Sequence, residues 1–129
     1  MRRGLIIVSL LALATVSCEK IKNSCKETKN ASSLIVSFPD SIKVAETYYL
    51  EVRYVLDNSC GEFKSFEIES GAGTTDIAIS TQYEGCNCEQ VLVERTSTFP
   101  IHISTAGIYY YRFWLANTDW DEHTLKVYQ

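Results

Sequence analysis

The chain has 129 residues, 46% of them hydrophobic and 12% aromatic, with a formal net charge of −4. That is enough for one domain with a real core and not for two. The acidic balance disfavours nucleic acid as a partner, since no basic patch is present to release counterions from phosphates.

Taken in chain order, the first 17 residues read as a secretory leader: Arg2 and Arg3, an apolar run from Leu5 to Val16, then Ser17 directly before Cys18. That 12-residue run falls short of the roughly 20 residues that a helix needs to cross hydrocarbon. A small residue ahead of a cysteine resembles the bacterial lipobox, with Thr15 departing from the usual aliphatic residue. The resemblance implies cleavage before Cys18, a diacylglyceryl thioether and an N-acyl chain on that residue, and hence a partner in the membrane itself. Each buried methylene then contributes ~0.8 kcal/mol to partition, so several chains make a lasting anchor. The expected location is the bacterial cell envelope, on the periplasmic or surface face of the outer membrane.

Residues 18–32 are expected to form this anchor and a polar tether, because EKIKNSCKETKNAS offers almost nothing to bury. Lys20, Lys22, Lys26 and Lys29 outnumber Glu19 and Glu27, whereas residues 33–129 hold 14 acidic against 6 basic side chains. Charge is therefore segregated between a basic tether, placed to meet anionic headgroups, and an acidic domain. With Cys18 set aside, Cys25, Cys60, Cys86 and Cys88 remain, an even number outside the cytosol, and two disulfides are expected. Zinc or iron–sulfur binding by Cys86-Asn87-Cys88 would need more ligands than His102 and His123 supply. Redox catalysis would need a C-x-x-C opening a helix.

From residue 33 onward apolar residues alternate with polar ones, and no helical period competes. Expected strands are LIVSF from Leu34, TYYLEVRYVL from Thr47 to Leu56, FKSFEIE, TTDIAISTQY, EQVLVER, TFPIHIS, GIYYYRFWL and HTLKVY. Asp57-Asn58-Ser59 with Gly61, and Ser70 to Gly73, supply turn chemistry between them. Seven or eight short strands without helix signal predict an all-β, antiparallel β-sandwich over residues 33–129.

Gly107-Ile108-Tyr109-Tyr110-Tyr111, after FPIHI, resembles the stretch entering strand F of immunoglobulin-like domains. By that resemblance Tyr109 is a tyrosine-corner residue whose hydroxyl bonds back to the preceding loop. Tyr111 stands where such domains carry a cysteine, so the inter-sheet disulfide of that fold is excluded. SCGEFKSFE, the GCNC loop and AGIYYYRFW together resemble small lipoproteins of Bacteroidota, which implies class and location and no particular ligand.

If strands run up and down, the Cys60 turn and the Cys86–Cys88 loop lie at one end of the sandwich. Cys60 with Cys86 and Cys25 with Cys88 is the favoured arrangement, although spacing does not choose among the three pairings.

No catalytic constellation emerges. His102 is out of phase with Phe99, Ile101 and Ile103 and should face solvent; His123 should open the last strand near its rim. Neither has a nucleophile placed for activation. No cofactor is implied. The candidate ligand-binding surface is the acidic loop NTDWDE, with Asn117, Asp119, Trp120 and Asp121. Trp120 would serve as a platform for a sugar ring or a protein partner. A calcium-dependent protein or enzyme is the alternative, if residues 89–103 form one bent strand and so bring Asp57 and Asn58 to the same end as Asp119, Asp121 and Glu122. Asp40-Ser41-Ile42 resembles an O-glycosylation acceptor of Bacteroidota, with Ser41 modified. Asn30-Ala31-Ser32 fits the N-linked sequon, which a bacterial lipoprotein is not expected to use. The expected role is thus a lipid-anchored, non-enzymatic binding or accessory structural protein of the envelope.

Overall fold

The computed structural model describes residues 25–35 and 37–129. The expected leader, the Cys18 lipidation site and the first residues of the tether lie outside the described residues. Nine strands follow one another: β1 (Lys26–Ala31), β2 (Ser33–Ile35), β3 (Ser41–Lys43), β4 (Thr47–Leu56), β5 (Gly61–Ser70), β6 (Thr74–Glu84), β7 (Val93–His102), β8 (Gly107–Ala116) and β9 (Asp119–Tyr128). They form a sheet of six, β1, β3, β5, β6, β8 and β9, packed on a sheet of three, β2, β4 and β7. The expected β-sandwich is what the chain adopts.

β4 shows how alternation produces it. Leu50, Val52, Tyr54 and Leu56 are buried, while Tyr49, Glu51 and Val55 face solvent. The antiparallel register with β7 sets Leu50 opposite Phe99 and Tyr48 opposite Ile101. Across the sandwich stand Ile77 and Ile79 of β6, Phe113 of β8, and Leu125 and Val127 of β9. A run of edge-to-face aromatic contacts ties the layers together, Phe63–Phe66 and Phe66–Phe99 at 5.1 Å and Phe99–Phe113 at 6.3 Å. Each contributes about 0.5–1.5 kcal/mol beyond its area.

Four expectations need correction. Among the described residues there are nine strands, because the polar segment read as tether contains β1, and because residues 33–43 hold two short strands, β2 and β3. β1 pairs with β6 from Lys26↔Glu84 to Ala31↔Ile79. Only Ala31 in β1 is buried, so an edge-like strand with one wet face needs no apolar alternation. Second, of the two readings of residues 89–103 the single strand holds: EQVLVER and TFPIHIS are not separate, since pairing with β4 runs unbroken from Val93 to His102. Third, the sheets are not purely antiparallel: β3 pairs with β9 and β6 with β8 in parallel. The large sheet therefore differs from the all-antiparallel immunoglobulin arrangement. Fourth, the described part of the fold already includes Cys25 and β1, ahead of residue 33.

β6 is the organising strand. β5 lies along one side, and the other is shared end to end, β1 pairing residues 79–84 and β8 pairing residues 74–77. Both of its faces are covered at the centre, so Ala78 and Ser80 are buried as well as Ile77 and Ile79.

Candidate functional site

The disulfide end of the sandwich holds two of the expected ligand residues, Asp57 and Asn58. Extending the β1–β6 register places Cys25 beside Gly85, and the Gly85 N–H donates to the Cys25 carbonyl at 2.9 Å. Cys60, just ahead of Gly61↔Tyr83, arrives on the opposite side of β6. The bonds are accordingly Cys25–Cys86 and Cys60–Cys88, with Cα separations of 5.2 and 5.6 Å. This corrects the favoured pairing of Cys60 with Cys86 and Cys25 with Cys88: once β1 is a neighbour of β6, Cys25 reaches the nearer cysteine. Gly85 between them has φ +132°, and a Cβ there would sit 3.0 Å from the Cys60 Sγ.

Asp57 and Asn58 are committed to this end. The Asp57 carboxylate accepts from Lys29 Nζ at 2.5 Å, and its N–H donates to the Tyr83 hydroxyl at 3.0 Å. Lys29 also lies over the Tyr83 ring, 4.7 Å from its centroid. The hydrogen bond to Asp57 holds the Lys29 pKa above its ordinary value despite partial desolvation. Asn58 Oδ1 accepts from the Cys60 N–H at 2.9 Å and fixes the turn.

NTDWDE is no loop. A two-residue turn at Asn117-Thr118 joins β8 directly to β9, with Asn117 at φ 51°. The Trp114 indole N–H donates to the Asn117 carbonyl at 3.0 Å and closes it. Asp119, Trp120, Asp121 and Glu122 therefore belong to β9 and alternate between its faces. Asp121 turns toward the inner side and bonds His123 Nε2 at 2.9 Å. His123 is in mid-strand rather than at a rim, stacked on Phe38 with centroids 4.6 Å apart. Among the described residues no group of three or more His, Cys, Asp or Glu side chains could hold a metal ion. Asp57 and Asn58 do not join Asp119, Asp121 and Glu122 in such a cluster.

Trp120 points to the outer face of the large sheet, and there the geometry is more informative. Arg112 of β8 is the centre. Its Nε donates to Asp76 Oδ1 at 2.6 Å and its second terminal nitrogen donates to Asp76 Oδ2, while its guanidinium carbon lies 5.0 Å from the Trp120 ring centroid. The Asp76 contact raises the Arg112 pKa further. The parallel register brings Asp76↔Arg112 and Thr74↔Tyr110 side by side; the antiparallel one adds Arg112↔Glu122 and Tyr110↔Thr124. Trp114 and Trp120 face each other one pair further along. Together with the β5–β6 turn these strands enclose an open trough of about 880 Å³, lined by Glu69, Thr74, Asp76, Tyr110, Arg112 and Glu122 among others. Tyr110 is half-exposed.

Of the other expected site residues, Tyr109 fulfils the corner: its hydroxyl donates to the Thr105 carbonyl at 2.8 Å. Tyr111 is buried, and desolvation raises its pKa. Ser41 is exposed and opens β3 opposite Lys126. His102 faces solvent as expected and bonds the Thr47 hydroxyl at 3.1 Å.

The profile of the ORF11 beta-sandwich domain matches residues 50–127. The chain belongs to the ORF11 β-sandwich domain family. Comparisons with curated proteins and with solved structures returned no significant match. The ORF11 match runs from mid-β4 nearly to the end of β9, and so contains the whole trough. It also contains Cys60, Cys86 and Cys88 but not Cys25, so one disulfide joins the ORF11 segment to a strand outside it. The sequence alone missed Asp76, Tyr110 and Arg112, because parallel pairing across 36 residues leaves no local trace. The alternation of Tyr110, Arg112 and Trp114 on one face was the available signal.

Proposed function

We propose that this ORF11-family protein is a lipid-anchored binding module of the bacterial cell envelope, held in the outer membrane through an acylated Cys18, and that carbohydrate is the ligand of its trough. The reading is supported chiefly by the Arg112 assembly. A guanidinium fixed by two bonds to Asp76 and backed by an indole is preorganised, so a ligand loses little affinity to ordering it. Hydroxyls of Thr74, Tyr110 and Thr124 and carboxylates of Glu69 and Glu122 offer both donors and acceptors to a polyhydroxylated ring. The exposed Tyr110 ring adds an apolar face for sugar C–H groups. Binding is favoured over catalysis because Asp76 is engaged by Arg112, His102 lies on the small sheet, and His123, at the margin of the trough, is held by Asp121 and stacked on Phe38.

The mature chain on an array of envelope glycans, with and without EDTA, tests this. Binding is expected to survive EDTA and to fall about tenfold or more in Arg112→Ala, Tyr110→Ala and Trp120→Ala. Loss of binding with EDTA would revive the metal-dependent alternative, and a chain that binds no glycan in any arm would remove the carbohydrate reading.

A further inference from the structure

The loop joining β6 to β7 carries two apolar side chains where a surface loop ordinarily carries polar ones. Leu92 is 75% exposed and Val91 49%. This is not the slack of a mobile tip. Two disulfides hold the loop at Cys86 and Cys88. The Ser59 N–H donates to the Glu89 carbonyl at 3.0 Å, the Glu89 N–H to the Ser59 hydroxyl at 2.8 Å, and the Val91 N–H to the Glu89 carbonyl at 2.9 Å. A rigid loop that keeps a leucine and a valine in water places them there at a cost in free energy. Val55, 40% exposed near the end of β4, is paired with Glu94 two residues beyond Leu92.

The chain enters the fold at this end, since Cys25 is bonded to Cys86 in that loop. Cys18 precedes Cys25 by seven residues, which span at most about 25 Å when fully extended. We infer that the disulfide end of the sandwich faces the bilayer and that Val91 and Leu92 enter the lipid headgroup region. The inference rests on the acylation of Cys18 proposed above. Charge does not oppose it strongly: Glu84 is paired with Lys26 at 3.2 Å and Glu94 with Arg53 at 3.9 Å. Glu89 has no ion pair among the described residues, and Lys26 and Lys29, expected in a basic tether facing anionic headgroups, are instead paired in the fold with Glu84 and Asp57, so zwitterionic lipid is the favoured surface. Insertion is driven by apolar contact and is insensitive to salt.

The test uses the full acylated chain reconstituted in phosphatidylcholine–phosphatidylethanolamine vesicles with brominated acyl chains, which quench nearby indoles. Leu92→Trp places a reporter on the loop, Val91→Trp supplies a second, and Thr98→Trp, exposed in mid-β7, is the control. Emission from Trp114 and Trp120 is subtracted using the unsubstituted chain. The added emission of the loop reporters is expected to be quenched about threefold more strongly than that of the control, because interfacial apolar groups sit ~5–10 Å into the headgroup boundary. Intact mass separates the two ways of failing. An acylated, vesicle-bound chain whose loop and control reporters respond equally overturns the orientation and leaves the anchor standing. A chain with no acyl mass on Cys18 overturns the anchor, and the orientation with it.

Discussion

The two ends of β6 are built on different principles. Beyond its C-terminal end, almost every polar group is committed: Asp57 to Lys29 and Tyr83, Asn58 to the Cys60 backbone, Ser59 to Glu89, and four cysteines to one another. Along its N-terminal half, Asp76 orients Arg112 but leaves that guanidinium beside an open trough with uncommitted hydroxyls around it. The comparison teaches that charge and aromatic content alone do not mark a site. Asp57 was the candidate in sequence and Asp76 was not; what separates them in the structure is whether their partner completes a closed knot or stands at the edge of a cavity.

The largest expected effect comes from opening the stapled end. In chain-entropy terms, removing Cys25–Cys86, which spans 61 positions, costs about 4 kcal/mol, and removing Cys60–Cys88, which spans 28, about 3.5 kcal/mol. Urea denaturation of the paired Cys→Ser variants measures both. If the contrast between the regions is sound, trough binding at temperatures below the transition stays unchanged in each. Next is Gly85→Ala, which forces a side chain into a positive-φ position against the Cys60 sulfur and should destabilise by about 1–3 kcal/mol in the same assay. Ser80→Ala runs the other way. The Ser80 hydroxyl is buried with no hydrogen-bond partner among the described residues, and its removal should raise stability by about 1 kcal/mol.

The smallest effect is a pH dependence confined to alkaline solution. Lys29 has its pKa raised above 10.5 by the hydrogen bond to Asp57, so the fold favours its charged form. Its contribution is complete below 10.5 and is lost as pH rises through the raised value. Tyr111, raised above 10.0 by burial, favours the neutral phenol and acts in the same direction. Thermal midpoints of wild type and Lys29→Met should therefore differ at neutral pH and converge above about pH 10.5, while both decline through the tyrosine. A difference that persisted there would sever Lys29 from the stabilising knot.

How much of this was legible in sequence depends on the range of the interaction. β4 and β8 announce themselves because each has one covered face, and Leu50 and Phe113 fall in step with their neighbours. The Tyr109 corner is equally local, reaching back only four residues to Thr105. β1 left no such mark, since Lys26 to Asn30 are polar and the strand exists through its ladder to β6 and the Cys25 bond. Missing β1 then carried over to the cysteines, whose pairing depends on which strand flanks β6. The trough was hidden for a related reason. Arg112 meets Asp76 only because β6 and β8 run parallel, and no periodicity within either segment encodes which partner lies alongside.

The Cys25–Cys86 bond also decides how the molecule bears load. A pull on the chain ahead of Cys25 would pass through sulfur into the extension of β6, the strand most enclosed by neighbours, and would have to shear the middle of the sheet. Without that crosslink the same force would unzip β1 one hydrogen bond at a time, the weakest way to strain a ladder. The position of a single cysteine thus converts a peelable edge into a point of attachment suited to mechanical tension.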